Sequence, residues 1–427
     1  MKRWLVFLQM LFLMVSQFGC SRTSTVTVTN EVVTETASSE LFVLVLEDLG
    51  IEDAEEENFV TYLGNHLQQY CSGVDLKTIT AEFRANGSFK HGSLPGGDYD
   101  YVVLALGSGV GCVDTLEANN NKLTEAYLKV LERVNRKYED AVIVCIYDMY
   151  VMDYGDRIEA AIDTFMQREG ASRTVCALDM NDYDDYLNRS DLAEVHSYVG
   201  EYLARQINGL ESLAQARYGE LDPNLPVIAL TFDDGPNTTT TNDILDVLEE
   251  YEVQASFFLI GKNISGATEA VIQREVALGC EVNSHSYAHD YMNAMTDEEI
   301  QSDMALCESL IVATSGVYPC FFRPPYLAVS ETMYRNINLP FISGYDCNDW
   351  EESVSTEERV QKVLGNAKDG EIILLHDAAG NTQTVEALPQ IIEGLREEGY
   401  QFVTCTQLFA IKNIIPTTNH LYSVAAE

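Results

Sequence analysis

The chain has 427 residues, with 67 Asp or Glu against 26 Lys or Arg and a formal net charge of −41 at pH 7. A field of that sign repels phosphate backbones and anionic headgroups, which argues against nucleic acid as a partner. Hydrophobic residues at 46% exclude wholesale disorder, and the length calls for two or three domains. The acidity is a property of the whole surface: residues 222–427 carry 32 acids and 9 bases (−23), leaving −18 for the first 221.

Residues 1–20 read as a signal peptide. Lys2 and Arg3 precede an apolar stretch, Trp4 to Val15, that is short for a membrane span. The stretch closes at Gly19-Cys20, which resembles a bacterial lipoprotein cleavage site with Cys20 lipidated, although Gln17 and Phe18 depart from the usual residues. Residues 21–40 hold ten Ser or Thr and suit a flexible tether. The expectation is therefore an exported protein, secreted or held at the cell surface, touching a membrane only through a lipid anchor.

From residue 41 the pattern turns to buried parallel strands at Leu41–Leu46, Tyr101–Leu106, Ala141–Tyr147 and Thr174–Leu178. These alternate with helices near Glu55–Tyr70, Thr115–Tyr138, Arg157–Arg168 and Asp191–Ala214. The alternation predicts a doubly wound three-layer α/β domain over 41–216. Residues 217–225, with Asp222-Pro223-Asn224, read as a linker. A second α/β series fills 226–413, and 414–427 is a tail without a motif. Ten cysteines are scattered without a CxxC pair, and Cys112, Cys145, Cys176, Cys280 and Cys405 sit in or beside apolar runs. Free buried thiols are expected there rather than a disulfide framework.

The chemistry lies after the linker. In Thr231-Phe232-Asp233-Asp234-Gly235-Pro236 a strand ends in two acids before a sharp turn. Alternation along the strand gives them separate roles, one toward a metal and one toward a substrate. His285-Ser286-Tyr287-Ala288-His289 spaces two imidazoles at i, i+4, and one helical turn would bring both to a single divalent ion. With Asp234 they form a two-nitrogen, one-oxygen set that leaves coordination positions open. Arg323-Pro324-Pro325-Tyr326 offers a stiff loop with a guanidinium and a fixed Tyr326 N–H. Asp346-Cys347-Asn348-Asp349-Trp350 is an acidic loop ending in an aromatic, and Ile373-Leu374-Leu375-His376-Asp377 puts a histidine at a strand end. A carboxylate beside that histidine would make it a general acid.

These five motifs, in this order within roughly 145 residues, resemble the polysaccharide deacetylase (NodB homology) family of carbohydrate esterases, from about Pro226 to Leu408. The resemblance implies a distorted (β/α) barrel with the site at the strand ends. It implies Asp233 as general base, with Asp234, His285 and His289 holding zinc or, alternatively, cobalt, nickel or manganese. Arg323 would orient Asp233, the Tyr326 amide would stabilise the oxyanion, and His376, tuned by Asp349, would protonate the leaving group. Trp350 and Leu374 would line the acetyl pocket, and Tyr326 would also touch substrate. The substrate would be an acetylated polysaccharide: first N-acetylglucosamine of peptidoglycan, alternatively acetylated xylan or chitin oligomers. A glycan-binding protein that retains the metal site without chemistry is the reading from another class.

The domain over 41–216 resembles, more faintly, a degenerate SGNH hydrolase. Glu47-Asp48-Leu49 stands where the nucleophile block would be, Gly107-Ser108-Gly109-Val110 lacks the expected Asn, and Ala193 precedes His196 in place of an acid. This implies an accessory or glycan-binding domain, or a flavodoxin-like fold of other ancestry, with His196 an ordinary surface residue.

Overall fold

In a computed structural model of the chain the described residues are 40–47, 58–71, 73–83, 89–91, 94–106, 120–147, 155–169, 175–179, 192–214, 221–222, 225–412, 414, 416–418 and 420–425. Residues 1–39 lie outside them, and with them Cys20, the stretch read as a signal peptide and all but Glu40 of the stretch read as a tether, as do Asp48, Leu49, Gly107–Val110 and Cys112. No helix among the described residues is long and apolar enough to cross a membrane. The chain divides into two compact units, residues 1–52 with 71–179, and residues 53–70 with 180–427.

The first unit is a six-stranded sheet in the order β3-β2-β1-β4-β5-β6, built from β1 (Glu40–Glu47), β2 (Gly73–Phe83), β3 (Phe89–His91), β4 (Tyr101–Ala105), β5 (Val142–Tyr147) and β6 (Val175–Asp179). All pairs are parallel except β2 with β3. Without β3 the order is that of flavodoxin-like folds. The first helix among the described residues, α1 (Phe59–Leu67), belongs to the other unit. Helices α2 (Asn120–Lys137) and α3 (Gly155–Glu169) pack Leu123, Tyr127, Ile158 and Phe165 on Leu44, Leu104 and Ile143, all on one face of the sheet. Double winding leads one to expect helices on both faces. The helices described in this unit cover one, although Val43, Val45 and Val103 on the other are buried too.

In the second unit α1 packs on α4 (Leu192–Ala214) around Gly200. A β-carbon there would lie 2.5 Å from the Tyr62 Cβ and 2.7 Å from the Leu63 nitrogen, so only glycine permits this approach. His196 on α4 is half-buried, its ring stacked at 6.4 Å on Phe59 of α1.

The rest of this unit alternates strand and helix: β7 (Val227–Asp233), α5 (Thr240–Glu250), β8 (Ser256–Leu259), α6 (Glu269–Ala277), β9 (Glu281–Ser284), α7 (Asp297–Ser315), α8 (Glu331–Asn336), β10 (Phe341–Ile342), β11 (Tyr345–Asp346), α9 (Thr356–Asn366), β12 (Glu371–His376), α10 (Thr382–Glu397), β13 (Gln401–Phe402), α11 (Cys405–Ile411) and β14 (Leu421–Tyr422). Parallel pairing runs β11-β12-β7-β8-β9. It continues through single parallel bridges from Ser284 to Phe322 and from Phe322 to Phe341 of β10. Because β10 and β11 are successive parts of one segment, the circuit closes as a barrel. The distortion is visible at the seam. Residues after 413, read from sequence as a tail, supply β14, which pairs with β10 and wedges its base from β12. The chain then kinks at Gly344 (φ 113°) so that β11 reaches β12 directly. A β-carbon on Gly344 would meet the Ile372 carbonyl oxygen at 2.8 Å.

Strand alternation sorts the side chains. Ile228, Leu230 and Phe232 face the helices, whereas Val227, Ala229, Phe258 and Ile372 fill the interior. The register stacks Ala229 on Ile372, Thr231 on Leu374 and Asp233 on His376. The interior therefore becomes polar layer by layer toward the carboxyl ends of the strands. Of the cysteines expected to be buried thiols, Cys145, Cys280 and Cys405 are buried.

Candidate active site

Asp233 ends β7 and is 2% exposed. Its Oδ1 accepts a hydrogen bond from Arg323 Nη1 at 2.6 Å, and Arg323, wholly buried, lies with its guanidinium 4.1 Å over the Phe258 ring. Burial pushes the Asp233 carboxyl up, but the charges of Arg323, His285 and His376 outweigh it and hold the group below the usual carboxylate range. Asp234 takes a left-handed conformation (φ 79°). That turn, rather than strand alternation alone, separates the two acids. Both still face His285, whose Nε2 is 3.7 Å from Asp233 Oδ2 and 3.6 Å from Asp234 Oδ1.

His285 and His289 do not share a helical turn. They stand on an irregular loop after β9, in which Ser286 (φ 66°) and His289 (φ 58°) are left-handed. The expected helix gives way because the loop's N–H groups find other acceptors. Tyr287 and Ala288 donate to Asp303 of α7 at 2.7 and 3.1 Å, and His289 donates to Ser286 Oγ at 2.9 Å. The imidazoles converge nonetheless, with centroids 4.9 Å apart. His285 Nδ1 donates to the Arg323 carbonyl at 2.7 Å, which leaves its Nε2 lone pair free. Burial, then the neighbouring His285, lowers the His289 pKa and favours the neutral form that ligates.

The donor set fits a divalent ion. One atom from each of Asp234, His285 and His289 lies within 4.8 Å of the others. Asp234 Oδ1 is buried with no hydrogen-bond partner, 3.4 Å from His289 Nε2. A buried carboxylate oxygen left unpartnered beside two imidazole nitrogens matches a site for a divalent cation.

Across the strand ends, Asp349 is wholly buried. Its Oδ1 accepts from His376 Nδ1 at 2.7 Å and its Oδ2 from the His376 backbone N–H at 2.8 Å. Burial alone would lower the His376 pKa, but this carboxylate, with Asp233 and Asp234, raises it to about 9. Leu374 lies buried one layer below, and Trp350 is 58% exposed with its Nε1 3.4 Å from Asp346 Oδ2. Tyr326 (φ 59°) sits in a short 3₁₀ turn. The turn's backbone bonds run from Leu327 N–H to Pro324 and from Ala328 N–H to Pro325, passing over its N–H. The Tyr326 ring is 4.7 Å from His289 and stacks at 4.0 Å on exposed Tyr291. Every predicted residue of this constellation thus gathers at one end of the barrel; Cys20 lies outside the described residues.

The family model for polysaccharide deacetylase matches residues 221–340. A peptidoglycan-N-acetylglucosamine deacetylase of Bacillus cereus is 32% identical over 204 residues, covering 45% of this chain and 93% of that protein. This chain belongs to the polysaccharide deacetylase family. A bifunctional xylanase/deacetylase of Pseudobutyrivibrio xylanivorans is 48% identical over 238 residues, 56% of this chain and 39% of that protein. Among solved structures, the Xyl-CE4 domain of a multidomain xylanase from the hindgut metagenome of Trinervitermes trinervoides is 53% identical, covering 47% of this chain and 98% of that one, with a TM-score of 0.47. The chain spans about two fifths of the length of the curated relatives that head the comparison.

The site also rests on residues to which motif reading gave no role. Asn263 Nδ2 donates to the Asp234 carbonyl at 2.8 Å. Asp377 lies under the Asp234–Gly235 turn, where a β-carbon on Gly235 would meet its Oδ2 at 2.2 Å, and that oxygen accepts from Thr241 at 2.5 Å. Thr384 Oγ1 donates to Asp349 Oδ2 at 2.6 Å. Asp303, Asn263 and Thr384 fall outside the five motifs, and no local signal marks them.

Proposed function

We propose that the protein hydrolyses acetyl groups from a polysaccharide with the aid of a divalent metal ion. The observation that carries this reading is the unpartnered, buried Asp234 Oδ1 facing the two Nε2 atoms beside Asp233. An ion held by Asp234, His285 and His289 would supply polarisation of the acetyl carbonyl and acidification of water. Asp233, kept ionised by Arg323, takes the proton of the attacking water. The Tyr326 N–H donates to the developing oxyanion, and His376, protonated below about pH 9, gives its Nε2 proton to the leaving oxygen or nitrogen. Trp350 and Leu374 flank the acetyl group.

For substrate we place O-acetylated xylan first. The relative at 48% identity is a xylanase/deacetylase, and the acidic chain disfavours anionic polymers. N-acetylglucosamine of peptidoglycan, first on sequence alone, is the second reading. It is supported by the relative of which this chain covers 93%. Export, resting on residues 1–20, belongs to the same proposal. Acetate release from acetylated xylo-oligosaccharides, peptidoglycan glycan strands and chitin oligomers, each with and without chelator, tests it. Release should need the metal and be fastest on xylan fragments. Full activity after thorough metal removal would overturn the mechanism, and no release from any glycan by metal-loaded protein would leave a binding module.

A further inference from the structure

Arg359 on α9 is 1% exposed, and among the described residues it forms no salt bridge with a carboxylate. Its guanidinium is spent on neutral acceptors. Nε donates to the Val354 carbonyl at 3.0 Å, and Nη2 to the Glu351 carbonyl at 3.3 Å and Gln383 Oε1 at 2.7 Å. Nη1 donates to Asn381 Oδ1 at 2.6 Å and Thr384 Oγ1 at 2.8 Å. The last two are the residues that touch the His376–Asp349 pair. Asn381 Nδ2 donates to the His376 carbonyl at 2.9 Å and to Asp349 Oδ2 at 3.4 Å, and Thr384 donates to Asp349 Oδ2 at 2.6 Å.

Guanidinium has donors only. Because Arg359 claims the oxygens of Thr384 and Asn381 as acceptors, the Thr384 hydroxyl hydrogen is directed at Asp349 and the Asn381 amide cannot flip. We propose that Arg359 is a positioning residue for proton donation by His376. It fixes two donors around Asp349 Oδ2, so that Oδ1 stays aimed at the imidazole Nδ1–H and Nε2 stays aimed at the leaving group. A purely architectural role, tying the loop after Trp350 to α9 and α10, would use the bonds to Val354, Glu351 and Gln383 and would not need those to Asn381 and Thr384.

The inference rests on His376 being the proton donor, and the test separates the two ideas. An aryl acetate with a 4-nitrophenyl group leaves as a stable anion and needs no proton; a benzyl or sugar alkoxide must be protonated as the C–O bond breaks. The full-length, metal-loaded chain and its Arg359→Met, Thr384→Val and His376→Ala variants are assayed on acetates graded from 4-nitrophenyl to benzyl, and on acetylated xylo-oligosaccharides. Melting curves are recorded alongside. The Thr384→Val change keeps Arg359 and nearly keeps volume, which guards against misfolding of Arg359→Met. Little loss is expected on 4-nitrophenyl acetate, against a fall in kcat of about 10- to 100-fold on benzyl acetate for Arg359→Met and Thr384→Val. His376→Ala should show the same trend more steeply. Equal losses across the series in Arg359→Met and Thr384→Val, with a steep His376→Ala, would overturn the positioning role alone. Equal losses in His376→Ala would overturn the donor assignment and the inference with it.

Discussion

Two acids end two central strands of this chain. Glu47 closes β1 of the first unit and Asp233 closes β7 of the barrel, and both are buried. Both sheets are parallel in their central strands, with continuous apolar runs behind the acid. What differs is what arrives beside the acid. At Asp233, β9, β12 and the Arg323 loop deliver a guanidinium and three imidazoles. At Glu47 the register sets Thr80 of β2 and Ala105 of β4 alongside. The lesson is that a parallel sheet provides a place for chemistry at its strand ends but does not supply the chemistry.

The strongest test of that contrast is Asp233→Asn, which keeps shape and removes the base. Acetate release should fall by about 10²- to 10⁴-fold in kcat, whereas Glu47→Gln should leave it unchanged; a loss in the Glu47 variant would break the comparison. Next comes Asp349→Asn. With the His376 pKa raised to about 9, the protonated donor persists below that pH, so the wild-type rate should fall as pH rises through about 9. The same pair stabilises the fold below the ordinary imidazole range, and that contribution is lost over the same rise. Removing the carboxylate should bring the alkaline limb down toward 6.5, the ordinary imidazole value, as read from a kcat–pH profile. Of intermediate size is Gly200→Ala. Its β-carbon would press on α1, so the melting temperature should drop, by about 1–3 kcal/mol of stability, while kcat holds. Least is Trp350→Ala, exposed at the rim, where KM should rise by no more than about tenfold, the effect of about 1.4 kcal/mol of lost binding.

Much of this was legible in the residues. Strands were readable at Val227–Phe232 and Ile372–Leu375, within the observed β7 and β12, as were Asp234, His285 and His289, because buried parallel strands are apolar runs and the motifs sit at their ends. The conformation of the His285–His289 loop was not. Asp303, fourteen residues beyond His289, captures its N–H groups and decides against a helix. Arg359 was equally hidden, since an arginine in an amphipathic helix reads as solvated until α10 is seen covering it. The wedge formed by β14 had no signal beyond two apolar residues near the end of the chain.

The kink at Gly344 has a consequence for how this domain meets other polypeptides. By letting one short segment serve as both the first and last stave, it leaves the cylinder without an unpaired border where another polypeptide could dock its backbone. Sticking between copies would therefore have to start somewhere other than a strand edge.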